Sequence, residues 1–282
     1  MTIRLIALDL DGTLLTSGKT ISPADREAVE AAIGRGILVV PVTGRPAQGI
    51  PQEVLDLPGV RYVISSNGAT IRDVVTGETL LETHLEAETA LAVLAASDHV
   101  TMIREAFREG VGYLSKEDYD ILCGRYEGAM LQYVLDTRQV LPGTVADFLR
   151  EEPRPIEELF FLTESEAVKL DLQETLSALP GIGFADPFPR DLEVMAGGID
   201  KGEGLLFLLD RLGIDPGEVM AIGDGGSDLP MLLAAGIGVA MGNATEGVKA
   251  GADWVTGTCD ENGVAAAIEK YVLNTEEEPY AD

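Results

Sequence analysis

Two cysteines, Cys123 and Cys259, are all that the sequence contains, and they stand far apart, outside any CxxC or Cys/His cluster. Their placement excludes a disulfide scaffold and a zinc motif, and leaves two reduced, buried thiols as the expectation. Aromatic residues make up only 5% of the chain, so aliphatic side chains must do most of the packing. Basic residues are also scarce: 20 lysines and arginines face 48 aspartates and glutamates, a formal net charge of −28. A surface of that sign repels nucleic acid and anionic membranes at long range, so neither is expected as a partner. No uninterrupted apolar run reaches the roughly 18 residues of a membrane span. The opening segment MTIRLIALDL is too short for a secretory signal. A soluble cytoplasmic protein, monomer or homodimer, is the expectation.

What is present is a globular composition, 46% apolar and 24% charged, in 282 residues. That length favours two cores, or one core with a large insertion. Residues 3–9 read as a buried strand, and Ser22-Pro23, an N-cap followed by proline, predicts a helix from Pro23 to Gly34 or Gly36. A second strand, ILVVPVTGR, ends at Thr43-Gly44, and Pro46 can start another helix. A third strand, RYVISS, leads into Asn67-Gly68, and ATIRDVV and ETLLETHL flank Thr76-Gly77 as a hairpin. From about 84 to 190 the regular alternation stops and short strands mix with helical stretches, the pattern of a separate α+β unit. It resumes after Lys201-Gly202. The expected class is α/β: a doubly wound, mostly parallel sheet from residues 1–83 and 191–282, with an α+β insertion at 84–190. The acidic tail NTEEEPYAD is expected to fray.

Open parallel sheets bind ligands beyond the carboxyl ends of their strands. Asp9 closes the first apolar strand, Thr43 the second, Asn67 follows the third and Asp224 closes EVMAIGD, so all four are expected at one crevice. A single acid at a strand end is usually a turn or capping residue, but here several accumulate. Asp9 and Asp11 stand two apart in DLDGT, where Gly12 allows a sharp turn, a spacing that suits nucleophile and general acid/base. Asp224 arrives from a distant strand and Asp228 opens the following helix. Oxygen ligands without histidine or cysteine suit a hard cation, best magnesium where a substrate phosphate completes its shell. The Thr43 hydroxyl, the Gly44 backbone N–H and the Lys201 ammonium suit phosphate oxygens. Arg45, Asn67 and Asn243 are candidates for the substrate end, against the alternative of ordinary turn or helix-start roles.

DLDGTL at 9–14, TGR at 43–45, DKG at 200–202 and GDGGSD at 223–228 together resemble the four motifs of the haloacid dehalogenase-like (HAD) superfamily. SNGA at 66–69, GIGVAMGNA at 236–244 and DENGVAAAI at 260–268 are similar to its Cof-type subfamily. The resemblance implies a Rossmann-like core with a mobile type C2 cap inserted between the second and third motifs. It also implies a magnesium-dependent phosphatase acting on a small phosphorylated metabolite, such as a sugar phosphate. On that pattern Asp9 attacks phosphorus, while Asp11 protonates the leaving alkoxide and then activates water. Asp9, Asp224 and the backbone carbonyl of Asp11 hold Mg2+, with Asp228 behind them. The Leu10 backbone, Thr43, Gly44 and Lys201 hold the phosphoryl oxygens. One position departs: where the subfamily has GDxxND, this chain has Ser227, whose hydroxyl can donate one hydrogen bond to phosphate or cap the next helix. A phosphomutase and a non-catalytic phosphometabolite-binding regulator remain as alternatives.

Overall fold

The computed structural model describes residues 2–186 and 188–274, so the tail expected to fray lies, after Asn274, outside the described residues. The first part of the chain carries β1 (Leu5–Leu8), β2 (Leu38–Pro41), β3 (Tyr62–Ser65), β4 (Thr70–Asp73) and β5 (Thr79–Glu82). The middle carries β6 (Met102–Arg108), β7 (Val111–Ser115), β8 (Arg138–Leu141), β9 (Glu158–Thr163), β10 (Ile182–Ala185) and β11 (Asp191–Ala196). The last part adds β12 (Val219–Gly223), β13 (Ile237–Ala240) and β14 (Trp254–Val255).

All four side chains of β1 are fully buried, as a strand covered on both faces requires. It pairs in parallel with β12 on one side and β2 on the other, in a sheet of order β14-β13-β12-β1-β2. Its alternating side chains serve two cores. Ile6 and Leu8 join Ala28 and Val29 of the helix Pro23–Gly34 and Val264 of the helix Gly263–Ile268. Leu5 and Ala7 instead join Leu205 and Leu208 of the helix Lys201–Leu212 and Met231 of the helix Leu229–Ala234. The sheet is thus α/β and doubly wound, and its strands end at one edge.

β3 meets this sheet through a single parallel bridge, Val42 to Ile64, and then forms an antiparallel β3-β4-β5 unit around the expected hairpin. The helix expected from Pro46 is broken into a 3-10 turn, Ala47–Gly49, and a four-residue helix, Gln52–Leu55. Gly49 and Pro51 explain the break, since proline supplies no N–H to continue the turn that precedes it.

The middle segment forms a six-stranded sheet of order β10-β11-β9-β6-β7-β8, antiparallel except for the parallel pair β7 and β8. Ala106, Leu159, Phe161, Leu192 and Val194 pack one face against the helices Ala87–Ala96, Val145–Glu151 and Glu166–Leu176. The boundary expected at 190 therefore falls inside this layer. β11 pairs with β9 and β10 and contributes Leu192 and Val194 to the same core, so the layer runs to Ala196. Those pairings join segments distant in sequence, which the resumption of the helix–strand alternation does not register. The helices Lys116–Arg125 and Gly128–Thr137 cover part of the other face, over Ile103, Leu114 and Leu162. The rest of that face forms a roof over the carboxyl edge of the first sheet. Among the described residues, no helix is long and apolar enough to cross a membrane.

Candidate active site

Asp9 follows β1 directly and is 4% exposed. Its Oδ1 accepts a hydrogen bond from Lys201 Nζ at 2.8 Å, and the same ammonium donates to Asp228 Oδ1 at 2.5 Å. Lys201 opens its helix behind the N-cap Asp200, whose side chain accepts from the Glu203 N–H. Gly68 makes that approach possible: a Cβ there would lie 2.1 Å from the Asp200 carbonyl oxygen, so only glycine lets the Ser66–Gly68 turn pack on the helix start. Asp228 Oδ2 accepts from the backbone N–H groups of Asp224 and Gly225 at 2.9 and 2.8 Å, which folds the loop leaving β12.

Asp9, Asp224 and Asp228 each offer an oxygen within 4.8 Å of the others. Burial, then the charges of Asp228 and Asp224, hold the Asp9 pKa well above the usual carboxylate range despite Lys201. Burial and Asp228 push Asp224 up to about 7, against the pull of Lys201 and Asn243. Burial disfavours the Lys201 charge, but Asp228 and Asp9 more than offset it and raise its pKa. Three hard-oxygen donors facing one ammonium fit an oxygen-preferring divalent cation, which would supply the positive charge the group lacks.

The Asp11 carboxylate is not part of that group. Arg45 grips it with both ends of its fork, Nε to Oδ2 at 2.5 Å and Nη2 to Oδ1 at 2.8 Å, and Lys19 Nζ adds a contact to Oδ1 at 2.6 Å. Burial pushes this carboxyl up, but Arg45 and then Lys19 outweigh it and hold it at about 2. The Arg45 guanidinium also lies 5.1 Å from the ring centre of Tyr133, on the helix Gly128–Thr137. Arg45 lines the crevice and links Asp11 to the roof.

Thr43 is buried, and its Oγ1 accepts from the Arg45 N–H at 3.1 Å. Gly44 lines the crevice beside it. Leu10 is fully buried in the core, so only its backbone is available to a ligand. Asn67 is both turn residue and crevice residue: it has a left-handed backbone (φ 51°), and its Nδ2 donates to Glu193 Oε2 at 2.5 Å.

Two expectations are corrected by the geometry. Asn243 is not at the substrate end, because its amide is already engaged. Nδ2 donates to the Gly12 carbonyl at 2.8 Å and to Asp224 Oδ2 at 2.9 Å, and Oδ1 accepts from the Cys259 N–H at 2.9 Å. It fixes Asp224 against the loop after Asp9. Gly12 belongs to the same contact, since a Cβ there would meet Asp224 Oδ2 at 2.3 Å. Ser227 does not cap the helix Leu229–Ala234, because an intervening 3-10 turn, Gly226–Asp228, moves the N-cap position to Asp228. Ser227 lines the crevice with Asp9 and Lys201.

The family model of the haloacid dehalogenase-like hydrolases matches residues 6–268. The chain belongs to that family. It is 29% identical over 272 residues to the 5-amino-6-(5-phospho-D-ribitylamino)uracil phosphatase YcsE of Bacillus subtilis, covering 96% of each chain. Among solved structures it is similar to a haloacid dehalogenase-like hydrolase from Bacillus subtilis, at 27% identity and a TM-score of 0.82, over 95% of this chain and 99% of that one. It is also similar to the subclass IIB sugar phosphatase BT4131, at 26% identity and a TM-score of 0.78, over 95% and 98% of the two chains. The expected Cof-type membership stands, and with it the enzyme class, a phosphatase-type hydrolase.

In this haloacid dehalogenase-like hydrolase the crevice has a cavity of about 190 Å³, and sequence reasoning missed most of its upper half. Lys19 and Tyr133 carry no motif. The roof residues Phe107, Glu158, Phe160, Asp191 and Glu193 come from three different strands of the second sheet. A usable signal existed: REAF, ELFF and DLEV each place a glutamate in a strand two positions from another non-aliphatic side chain, Phe107, Phe160 and Asp191. A larger cavity, about 720 Å³, lies elsewhere in the inserted layer and shares no lining residue with the crevice. Its volume carries no weight against the acidic cluster and paired lysine that the smaller one contains.

Proposed function

We propose that this chain is a magnesium-dependent phosphatase that moves the phosphoryl group of a small phosphomonoester to Asp9 and then to water. The observation that carries this reading is the buried Asp9–Lys201–Asp228 linkage, with Asp224 beside it at the carboxyl ends of β1 and β12. In the first step an Asp9 carboxylate oxygen attacks phosphorus, the bond from phosphorus to the leaving oxygen breaks, and Asp11 protonates that oxygen. In the second step Asp11 takes a proton from water as its oxygen attacks phosphorus. Inorganic phosphate departs and Asp9 returns to a carboxylate. Lys201, Thr43, Gly44 and the Leu10 backbone are assigned to the phosphoryl oxygens.

Asp11 can exchange protons in this way only after leaving Arg45 and Lys19, which hold it ionised. The Arg45–Tyr133 contact makes that release sensitive to movement of the inserted layer, which we assign as the cap. Asp9, Asp224 and the Asp11 backbone carbonyl would hold magnesium, with Asp228 fixing the loop. A bound ion would offset the carboxylate charge that otherwise repels phosphate. A cavity of about 190 Å³ suits a small metabolite. The activities named for two relatives, one on a phosphoribitylamino compound and one on sugar phosphates, support a polyol or sugar phosphate.

Purified protein with magnesium should release phosphate from para-nitrophenyl phosphate and from members of a sugar-phosphate panel. Asp9→Asn should lower kcat at least ~1,000-fold. Equal, slow turnover by wild type and Asp9→Asn would reject covalent catalysis.

A further inference from the structure

The roof differs from the floor in its supply of positive charge. Glu105 and Phe107 on β6, and Glu158 and Phe160 on β9, are pairs two residues apart and so share a face of the sheet, as do Asp191 and Glu193 on β11. Glu158 is 4% exposed, lines the cavity, and its Oε2 has no hydrogen-bond partner among the described residues. Glu193 is 9% exposed and receives one donor, Asn67 Nδ2. The Asn67 Oδ1 beside it is buried and unpartnered too. Among the described residues, every cation lining the cavity is already engaged. Lys19 and Arg45 are on Asp11, Lys201 is on Asp9 and Asp228, and Arg138 donates to Glu105 Oε2 at 2.8 Å.

We infer that Glu158 and Glu193 determine specificity for the leaving group: they take an alcohol that presents hydroxyl or amino donors to the roof, and exclude one that carries a second anionic group there. The inference rests on the phosphatase reading and names the substrate class within it, an uncharged or cationic polyol monophosphate. A buried carboxyl oxygen without a donor is costly, and a substrate hydroxyl or ammonium supplies what the protein does not. A carboxylate or second phosphate arriving beside them would meet two acidic groups, while the cations lining the cavity are held by Asp9, Asp11, Asp228 and Glu105. Burial, and then Glu193, already raises the Glu158 pKa well above the usual range, and burial pushes Glu193 to about 7. Desolvation is the larger cause of both shifts, and incoming donors relieve it, whereas a further anion adds repulsion. Phe107 and Phe160 offer apolar faces for the carbon skeleton between those donors.

Two matched pairs of ligands test this: sorbitol 6-phosphate against 6-phosphogluconate, and glycerol 3-phosphate against 3-phosphoglycerate. Within each pair a terminal hydroxymethyl group replaces a carboxylate. Calorimetric titration of the Asp9→Asn chain in magnesium reads binding without turnover. The hydroxymethyl member of at least one pair should bind at least ~10-fold more tightly, and adding Glu158→Gln or Glu193→Gln should shrink that ratio to below ~3, mainly by improving the carboxylate member. Equal or tighter binding of the carboxylate members, binding of none of the four, or a ratio that both glutamine variants leave unchanged overturns the inference. Failure of the phosphatase reading looks different: wild type releases no phosphate from any compound while the binding preference persists.

Discussion

Floor and roof of the crevice both bury carboxylates, and they balance them in opposite ways. On the floor, Asp9 and Asp228 share Lys201, and Asp11 is clasped by Arg45 and Lys19. On the roof, Arg138 serves Glu105, while among the described residues Glu158 and Glu193 have Asn67 as the single side-chain donor between them. A floor with internal cations can hold its acids in fixed positions for work on an anionic phosphoryl group. A roof without spare cations leaves its acids to be satisfied by the ligand.

Lys201→Met should break the comparison most severely, because it gives the floor the same unpaired carboxylates as the roof. Removing one partner of a buried ion pair typically costs about 3–5 kcal/mol, so urea unfolding at neutral pH should show a loss of that order. The loss should shrink as the pH is lowered and the stranded acids take up protons. A loss below ~1 kcal/mol would show that the floor does not depend on its central ammonium.

Glu193→Gln sharpens the comparison from the other side. Glu193 binds its proton more tightly in the folded chain, at about 7 against an ordinary 4.5. Its contribution to stability is therefore full below 4.5 and declines as the pH rises towards 7. The glutamine variant should lack that decline, a difference of up to about 3 kcal/mol between the ends of the window. Parallel stability curves for variant and wild type from pH 4.5 to 7 would mean that the roof is not charge-strained. The smallest effect is expected at Ser227, half-buried at the crevice wall. Ser227→Ala should change kcat/KM by less than ~3-fold, whereas a fall beyond ~10-fold would assign its hydroxyl a strong phosphate contact.

Much of the floor was legible in the sequence because Asp9, Thr43 and Asp224 follow apolar strands, and parallel strands bring such ends to one edge. Asp9, Thr43 and Asp224 needed no knowledge of side-chain direction. Asp11, Arg45 and Asn243 did. Spacing brought them to the crevice but could not show that Arg45 would turn onto Asp11, or that Asn243 would be taken up by Gly12, Asp224 and the Cys259 N–H. The roof was hidden for a different reason. Glu158 and Glu193 converge through pairing of β6, β9 and β11, which lie far apart in the chain, and a lone glutamate in a strand looks like a solvent-facing position. The boundary placed at 190 failed on the same account, since β11 belongs to the layer that precedes it.

The central claim, that Asp9 carries the phosphoryl group, can be read at a single residue. Enzyme turning over a phosphomonoester in magnesium is quenched and treated with borohydride, which reduces an aspartyl phosphate to homoserine, and the peptide containing residues 5–26 is sequenced by mass spectrometry. Homoserine at position 9, absent from a control without substrate, is the predicted result; an unmodified Asp9 during active turnover, or reduction at Asp11 instead, would contradict it.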